Sequence, residues 1–258
     1  MVATANPTLS MLIFFVFTLL YIVGDYIQAI GKKTSSVYLI IYALAVIISQ
    51  FIGNISLTNQ LCGSNQYVTA LIVTIIPWTL MFGTITFLLT TFPGWLSPFS
   101  NTFGYAAALV NGLNNVMNDI LKPKIDKETS KENEAMMETL AHIYSDKSSL
   151  INEITVSTFD NFWDMMSGLI RDDVKKDTNN NLKNSLFSLV VLKDSVAKFV
   201  WFMLAGTLVI SVGYNYIINS GCEQSAEKMM QLHSQYEQKL ADDIKAKTST
   251  TKRVYTSN

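Results

Sequence analysis

The chain has 258 residues, 49% hydrophobic and only 15% charged, with mean hydropathy +0.27. A soluble domain carries about a quarter charged residues, so an ordinary water-soluble domain is excluded. The formal net charge of -1 leaves no basic surplus for nucleic acid, and two histidines far apart in sequence, His142 and His233, argue against a His-rich metal centre.

The charges are segregated. Residues 34–118 contain no Asp, Glu, Lys, Arg or His, most charges lie after Asp119, and they thin out again between Lys198 and Glu223. This pattern predicts an all-α polytopic membrane protein with a soluble insert and a soluble tail. A span needs about 20 mostly apolar residues. Residues 9–30 qualify first. Their flank lacks Lys and Arg and no small-x-small cleavage site follows Gly24, so the segment reads as a retained span, not a signal peptide. Asp25 is the sole acid inside any span, and such acids are functional candidates. It sits about a turn and a half from the span's end, where an ion pair with Lys32 or Lys33 is the expected use.

Residues 37–57 form the second span and residues 68–92 the third, with a kink expected at Pro77–Trp78 and a packing notch at Gly83. Asn54-Ile55-Ser56 is an N-glycosylation sequon that abuts the membrane. Residues 1–96 thus form the first membrane region. The chain then turns at Pro93–Gly94 and places Trp95 at headgroup depth.

Residues 97–121 read as one charge-free amphipathic helix, N-capped by Ser97 with Pro98 at its first position. Phe99, Phe103, Ala106, Val110, Leu113, Met117 and Ile120 form an apolar seam at helical period. Gly104, Ala108 and Gly112 make a small-residue stripe that admits a second backbone. The lack of Lys on the polar face favours packing within a protein assembly over a free peripheral anchor. The alternative is a fifth span at residues 98–118, which would invert the topology.

Residues 122–195 predict a small helical lobe. One helix is expected over residues 135–154, and a second carries Phe159, Phe162, Trp163, Met166, Leu169 and Ile170 on an apolar face. A polar break at residues 177–181 precedes the run into a fourth span, residues 196–219. Thr207, Ser211, Asn215 and Asn219 recur there at steps of four, as a pore-lining stripe or as interhelical hydrogen-bonding groups; the second use is favoured. Residues 220–258 form a tail whose Met229, Leu232, Tyr236, Leu240 and Ile244 predict an amphipathic helix, suited to a short coiled coil, with residues 248–258 expected to be disordered.

Four spans put both termini on one face of the membrane. The Lys32–Lys33 turn and the lobe fall on the other, where Lys193 and Lys198 also flank the fourth span. By the positive-inside rule that second face is cytosolic. The only two cysteines, Cys62 and Cys222, then share the terminal face in matching juxtamembrane positions, which predicts a disulfide. A fifth span would separate them. No P-loop, GxSxG, HExxH or TVGYG motif is present, so neither an enzyme nor a cofactor is expected.

One further pattern spans Cys62-Gly63, Gln66, Pro77-Trp78, Phe82-Gly83, Phe92-Pro93-Gly94-Trp95, the run Pro98 to Tyr105 and Gly221-Cys222. It resembles transmembrane minor capsid or inner-membrane proteins of nucleocytoplasmic large DNA viruses, of the phycodnavirus and mimivirus type. The resemblance implies a structural virion protein that links an internal bilayer to an icosahedral shell. Its location would be the virion inner membrane and the host endoplasmic-reticulum-derived membrane. Its partners would be the lipid bilayer and capsid or other membrane proteins, with homo-oligomers and without nucleic acid. An oligomeric ion channel or small transporter, using Asp25 and the polar stripe, is the alternative.

Overall fold

A computed structural model of the chain describes residues 7–33, 35–123, 138, 141–222 and 226–250. Helices α1 (Thr8–Ile30), α2 (Ser36–Cys62) and α3 (Tyr67–Thr91) are each long and apolar enough to cross a membrane. Their 23, 27 and 25 residues rise about 34, 40 and 38 Å, against a hydrocarbon core of about 30 Å. Pro77 lies inside α3, which continues through it. Gly63, at φ 64°, ends α2 in the left-handed conformation that glycine adopts without strain.

After α3 the backbone tightens into a 3-10 turn (Pro93–Leu96), one α-turn, α4 (Ser97–Phe99), and a π-turn (Ser100–Gly104). Helices α5 (Tyr105–Val110) and α6 (Leu113–Ile120) follow, separated at Gly112, whose φ is 91°. The single helix expected over residues 97–121 is therefore broken. Each half buries a different face. Before the break Gly104 and Ala108 are buried while Phe103 and Val110 are exposed; after it Leu113, Met117 and Ile120 are buried. The apolar seam is a core face only in its second half, because the Gly112 turn changes which side of the chain meets the lobe.

In the lobe, residues 141–145 are helical and Asp146 breaks the chain to cap α7 (Lys147–Ile151), accepting a hydrogen bond from the Ser148 N–H at 2.9 Å. The expected helix over residues 135–154 is thus interrupted, since a capping Asp starts a new helix. Of its beginning, residues 135–137 lie outside the described residues. Helix α8 (Phe159–Met165) gives way to a 3-10 turn at Met166, shorter than the seam through Ile170 predicted. Ile170 instead forms a lone antiparallel bridge with Leu121. Phe162, Trp163, Met166 and Leu169 pack on the lobe's own core. Helix α9 (Asp172–Lys176) is followed by a polar turn that ends at Asn180.

Helix α10 (Asn181–Asn219) has 39 residues and rises about 58 Å. It outreaches the bilayer core by about 28 Å, so its first half belongs to the lobe, where Leu186, Val190 and Val191 are buried. Its second half is the fourth span, packed with α1, α2 and α3. An aromatic cluster fills that bundle: Phe14, Tyr42, Trp78, Phe82 and Phe202 are all buried, and Tyr21 stacks on Tyr42 at 4.5 Å. Gly206 provides the close approach, because a Cβ there would overlap the Phe14 ring. Gly83 does not supply the expected notch; a Cβ there meets nothing within 4 Å.

Polar side chains inside the bundle find partners, as a low-dielectric setting demands. The Thr18 and Tyr42 hydroxyls are 2.8 Å apart, and the Gln50 side-chain amide donates to the Ser10 carbonyl at 3.0 Å. The Asn54 amide donates to the Thr74 hydroxyl at 2.8 Å, so the sequon asparagine is engaged between α2 and α3. Helix α11 (Ala226–Thr250) forms the tail, with Tyr236 and Leu240 exposed. Thr248–Thr250 belong to this helix and not to a disordered end; residues 251–258 lie outside the described residues.

Candidate functional site

Cys62 and Cys222 are disulfide-bonded, with Cα atoms 5.5 Å apart. The bond ties the α2–α3 turn to the end of α10. Between the two cysteines lie two helices long and apolar enough to cross a membrane, α3 and α10, an even number that returns the chain to the same face. A fifth span at residues 98–118 would leave the cysteines on opposite faces, and the helices in that segment, of 3, 6 and 8 residues, are too short to cross a bilayer. On the other face Lys32, in the α1–α2 turn, reaches Asp160 of the lobe at 3.4 Å. The turn and the lobe therefore share a side.

Where the lobe meets the bundle, one short stretch of α10, Lys193-Asp194, holds both neighbours. Lys193 is 1% exposed. Its Nζ donates to the carbonyl oxygens of Ile151 and Ile154 at 2.8 and 2.9 Å, and the Ile151 carbonyl also accepts from the Ile154 N–H at 3.3 Å. The next side chain, Asp194, leaves α10 in another direction. Its Oδ1 accepts from the Ser100 hydroxyl at 3.0 Å and its Oδ2 from the Val156 N–H at 3.4 Å. Lobe, π-turn and span four are thus fastened at a single point.

The π-turn fits there because Gly104 has no side chain: a Cβ would overlap the Lys193 carbonyl and lie 2.9 Å from its Cγ. Ala108, one turn on, is 0% exposed. Two members of the predicted small-residue stripe therefore do line a close helix contact. Gly112 does not. A Cβ there meets nothing within 4 Å, and its positive φ makes it a turn residue. The partner of the stripe is the chain's own α10. Below the π-turn, the Trp201 indole N–H donates to the Trp95 carbonyl at 2.8 Å, and Phe99 meets Trp201 edge-on at 5.0 Å.

Asp25 pairs with Lys198, not with Lys32 or Lys33; Lys198 Nζ lies 2.7 Å from its Oδ2. The cause is geometric. Lys198 is one turn below Asp194 on the face of α10 that α1 covers, whereas Lys32 has turned out of the α1 axis towards Asp160. Lys183 also reaches Asp160, at 3.0 Å. Its hydrogen bond, with a lesser contribution from Lys32, holds the Asp160 carboxyl below the usual range.

The polar stripe of α10 does not face the bundle interior. Thr207, Asn215 and Asn219 are exposed, while Ser211 and Asn219 donate to the Thr207 and Asn215 carbonyls of their own helix at 2.8 Å. Sequence reasoning missed the roles of Lys193, Asp194 and Ser100. The only signal was a charged pair in KDSVAK just ahead of an apolar run, which reads as an ordinary span flank.

Comparison of the chain with protein-family models, curated proteins and solved structures finds no match.

Proposed function

We propose that this membrane-embedded chain is a non-enzymatic structural protein that anchors a protein assembly to a lipid bilayer, the assembly being a viral capsid as the motif resemblance implies. The observation that carries the reading is the unbroken α10. One rod is the core of the extramembrane lobe and the centre of the bundle, and Lys193 and Asp194 lock the two together. A load on the lobe is transmitted directly to four lipid-facing helices, and the Cys62–Cys222 bond keeps α10 from sliding past its neighbours at the far face. On this reading the lobe, which bears the exposed Met165 (78%), faces the shell, and the α11 tail contacts other membrane or capsid proteins on the opposite side. The membrane is the virion inner membrane, acquired from the host endoplasmic reticulum.

The rival is an oligomeric channel or small transporter using Asp25 and the α10 stripe. Two observations weigh against it: Asp25 is engaged with Lys198, and the stripe's Ser211 and Asn219 are bonded to their own helix. Two variants separate the readings. Ala108→Leu forces bulk into the contact with α10, at a cost of about 1–3 kcal/mol. Asp25→Asn keeps the shape and removes one partly exposed ion pair, worth about 1 kcal/mol or less. An anchor loses assembly with Ala108→Leu, tolerates Asp25→Asn and conducts no ions in liposomes. Reproducible wild-type flux that Asp25→Asn eliminates would establish the channel instead.

A further inference from the structure

A cavity of about 330 Å³ opens where α1, α2 and α10 meet beneath the lobe. Its volume falls at the lower end of small-ligand sites, about 300–1,000 Å³. The wall carries two carboxylates, Asp25 and Asp194, and two lysines, Lys33 and Lys198, so its formal charges balance. It also carries Ser195, a residue only 4% exposed that lines the cavity. Its hydroxyl can both donate to and accept from a polar ligand held there.

The charges are only partly used. Asp25 engages Lys198 through Oδ2, and Lys33 stands exposed on the cavity wall, outside the ion pairs of the described residues. Helix α2 begins at Ser36 on the same wall, and the Ser35 side chain does not cap it. Its first N–H groups add positive potential beside Lys33. The cavity thus has an anion-accepting end at Lys33 and the start of α2, and a cation-accepting end at Asp25. It lies near the membrane-surface end of α1, within about a turn and a half of the Lys32–Lys33 turn.

We infer that this cavity binds the headgroup of a zwitterionic lipid whose ammonium carries N–H donors, as in phosphatidylethanolamine. The phosphate meets Lys33 and the α2 N-terminus, the primary ammonium donates to Asp25, and Ser195 completes the set. The quaternary ammonium of phosphatidylcholine cannot donate a hydrogen bond, and phosphatidylglycerol brings no cation. The site goes beyond the anchoring role and does not depend on it.

The test is native mass spectrometry of the full chain, released from nanodiscs holding equal amounts of phosphatidylethanolamine, phosphatidylcholine and phosphatidylglycerol. One tightly held phosphatidylethanolamine is expected, retained at least about tenfold over the other two. Lys33→Glu reverses charge at an exposed position and should reduce that retention about tenfold while leaving the disulfide and helical content intact. Ser195→Leu fills the cavity and should abolish retention; if that buried change prevents folding, Lys33→Glu alone decides. Equal retention of the three lipids, or undiminished retention by Lys33→Glu, overturns the inference. Displacement of the lipid by free phosphoethanolamine at comparable concentration would assign the cavity to a soluble ligand and overturn the lipid assignment.

Discussion

Replacing Lys193 by Met keeps the length and most of the volume of a fully buried side chain but removes its donors. Two hydrogen bonds disappear, to the carbonyls of Ile151 and Ile154 at 2.8 and 2.9 Å. The Ile154 carbonyl loses its donor at about 1–3 kcal/mol, whereas the Ile151 carbonyl keeps the Ile154 N–H at 3.3 Å and loses about 1 kcal/mol. Part of this is returned, because the buried amino group no longer has to be desolvated. The expected net loss is about 1–3 kcal/mol. It should be local. The contacts broken join α7 to α10, whereas the aromatic cluster of Phe14, Trp78 and Phe202 is untouched. Hydrogen exchange read by mass spectrometry in nanodiscs resolves the two regions. Exchange across residues 147–156 should accelerate roughly 5- to 140-fold, with α1, α2 and α3 unchanged. Lys193→Arg, which retains donors, should do less damage than Met. Unchanged protection at residues 147–156, or equal loosening of α1 to α3, would refute the clamp.

Cys62→Ser or Cys222→Ser should each abolish the mobility difference between reduced and unreduced protein on gels. The bond closes a separation of 160 residues, for which chain entropy gives about 5 kcal/mol at most; with spans that stay inserted on unfolding, about 2–4 kcal/mol is expected. Maleimide labelling of both thiols in denatured, unreduced protein would contradict the bond. Gly206→Ala pushes a methyl into the Phe14 ring and should destabilise by about 1–3 kcal/mol, while Gly83→Ala, in open space, should be neutral or gain up to about 1 kcal/mol; equal melting temperatures of the two variants would refute the packing. The depressed Asp160 carboxyl contributes stability that is present above its unfolded pKa and lost as pH falls through its folded value. Wild type should therefore exceed Asp160→Asn in stability near neutrality, with the gap closing below about pH 4; a gap independent of pH would show that Lys183 and Lys32 do not act through that charge.

The membrane architecture was legible because long charge-free runs have few other uses. The disulfide was legible because topology placed the only two cysteines on one face. The interruption at Gly112 was not. Glycine in an apolar helical pattern reads equally as a packing notch or a turn, and its φ of 91° depends on the lobe that Leu113 and Met117 enter. Gly83 and Gly206 show the same ambiguity, since only the position of Phe14 distinguishes them. The partner of Asp25 is 173 residues away, beyond any local pattern, while two nearby lysines offered a plausible substitute. Lys193 was misread most. A lysine ahead of a span normally snorkels to water, and only the return of residues 151–156 over α10 turns it into a buried fastening.

A chain that holds a protein assembly to a bilayer stays with that assembly when the lipid is removed. The most direct measurement dissolves the lipid of native membrane-bearing particles with a non-denaturing detergent, sediments the remaining protein shell, and quantifies this chain in pellet and supernatant. Anchoring predicts that most of it sediments with the shell, and that Lys193→Met shifts it to the supernatant together with its detergent-bound helices. Complete release of the wild-type chain with the lipid, from shells that stay intact, would contradict the account.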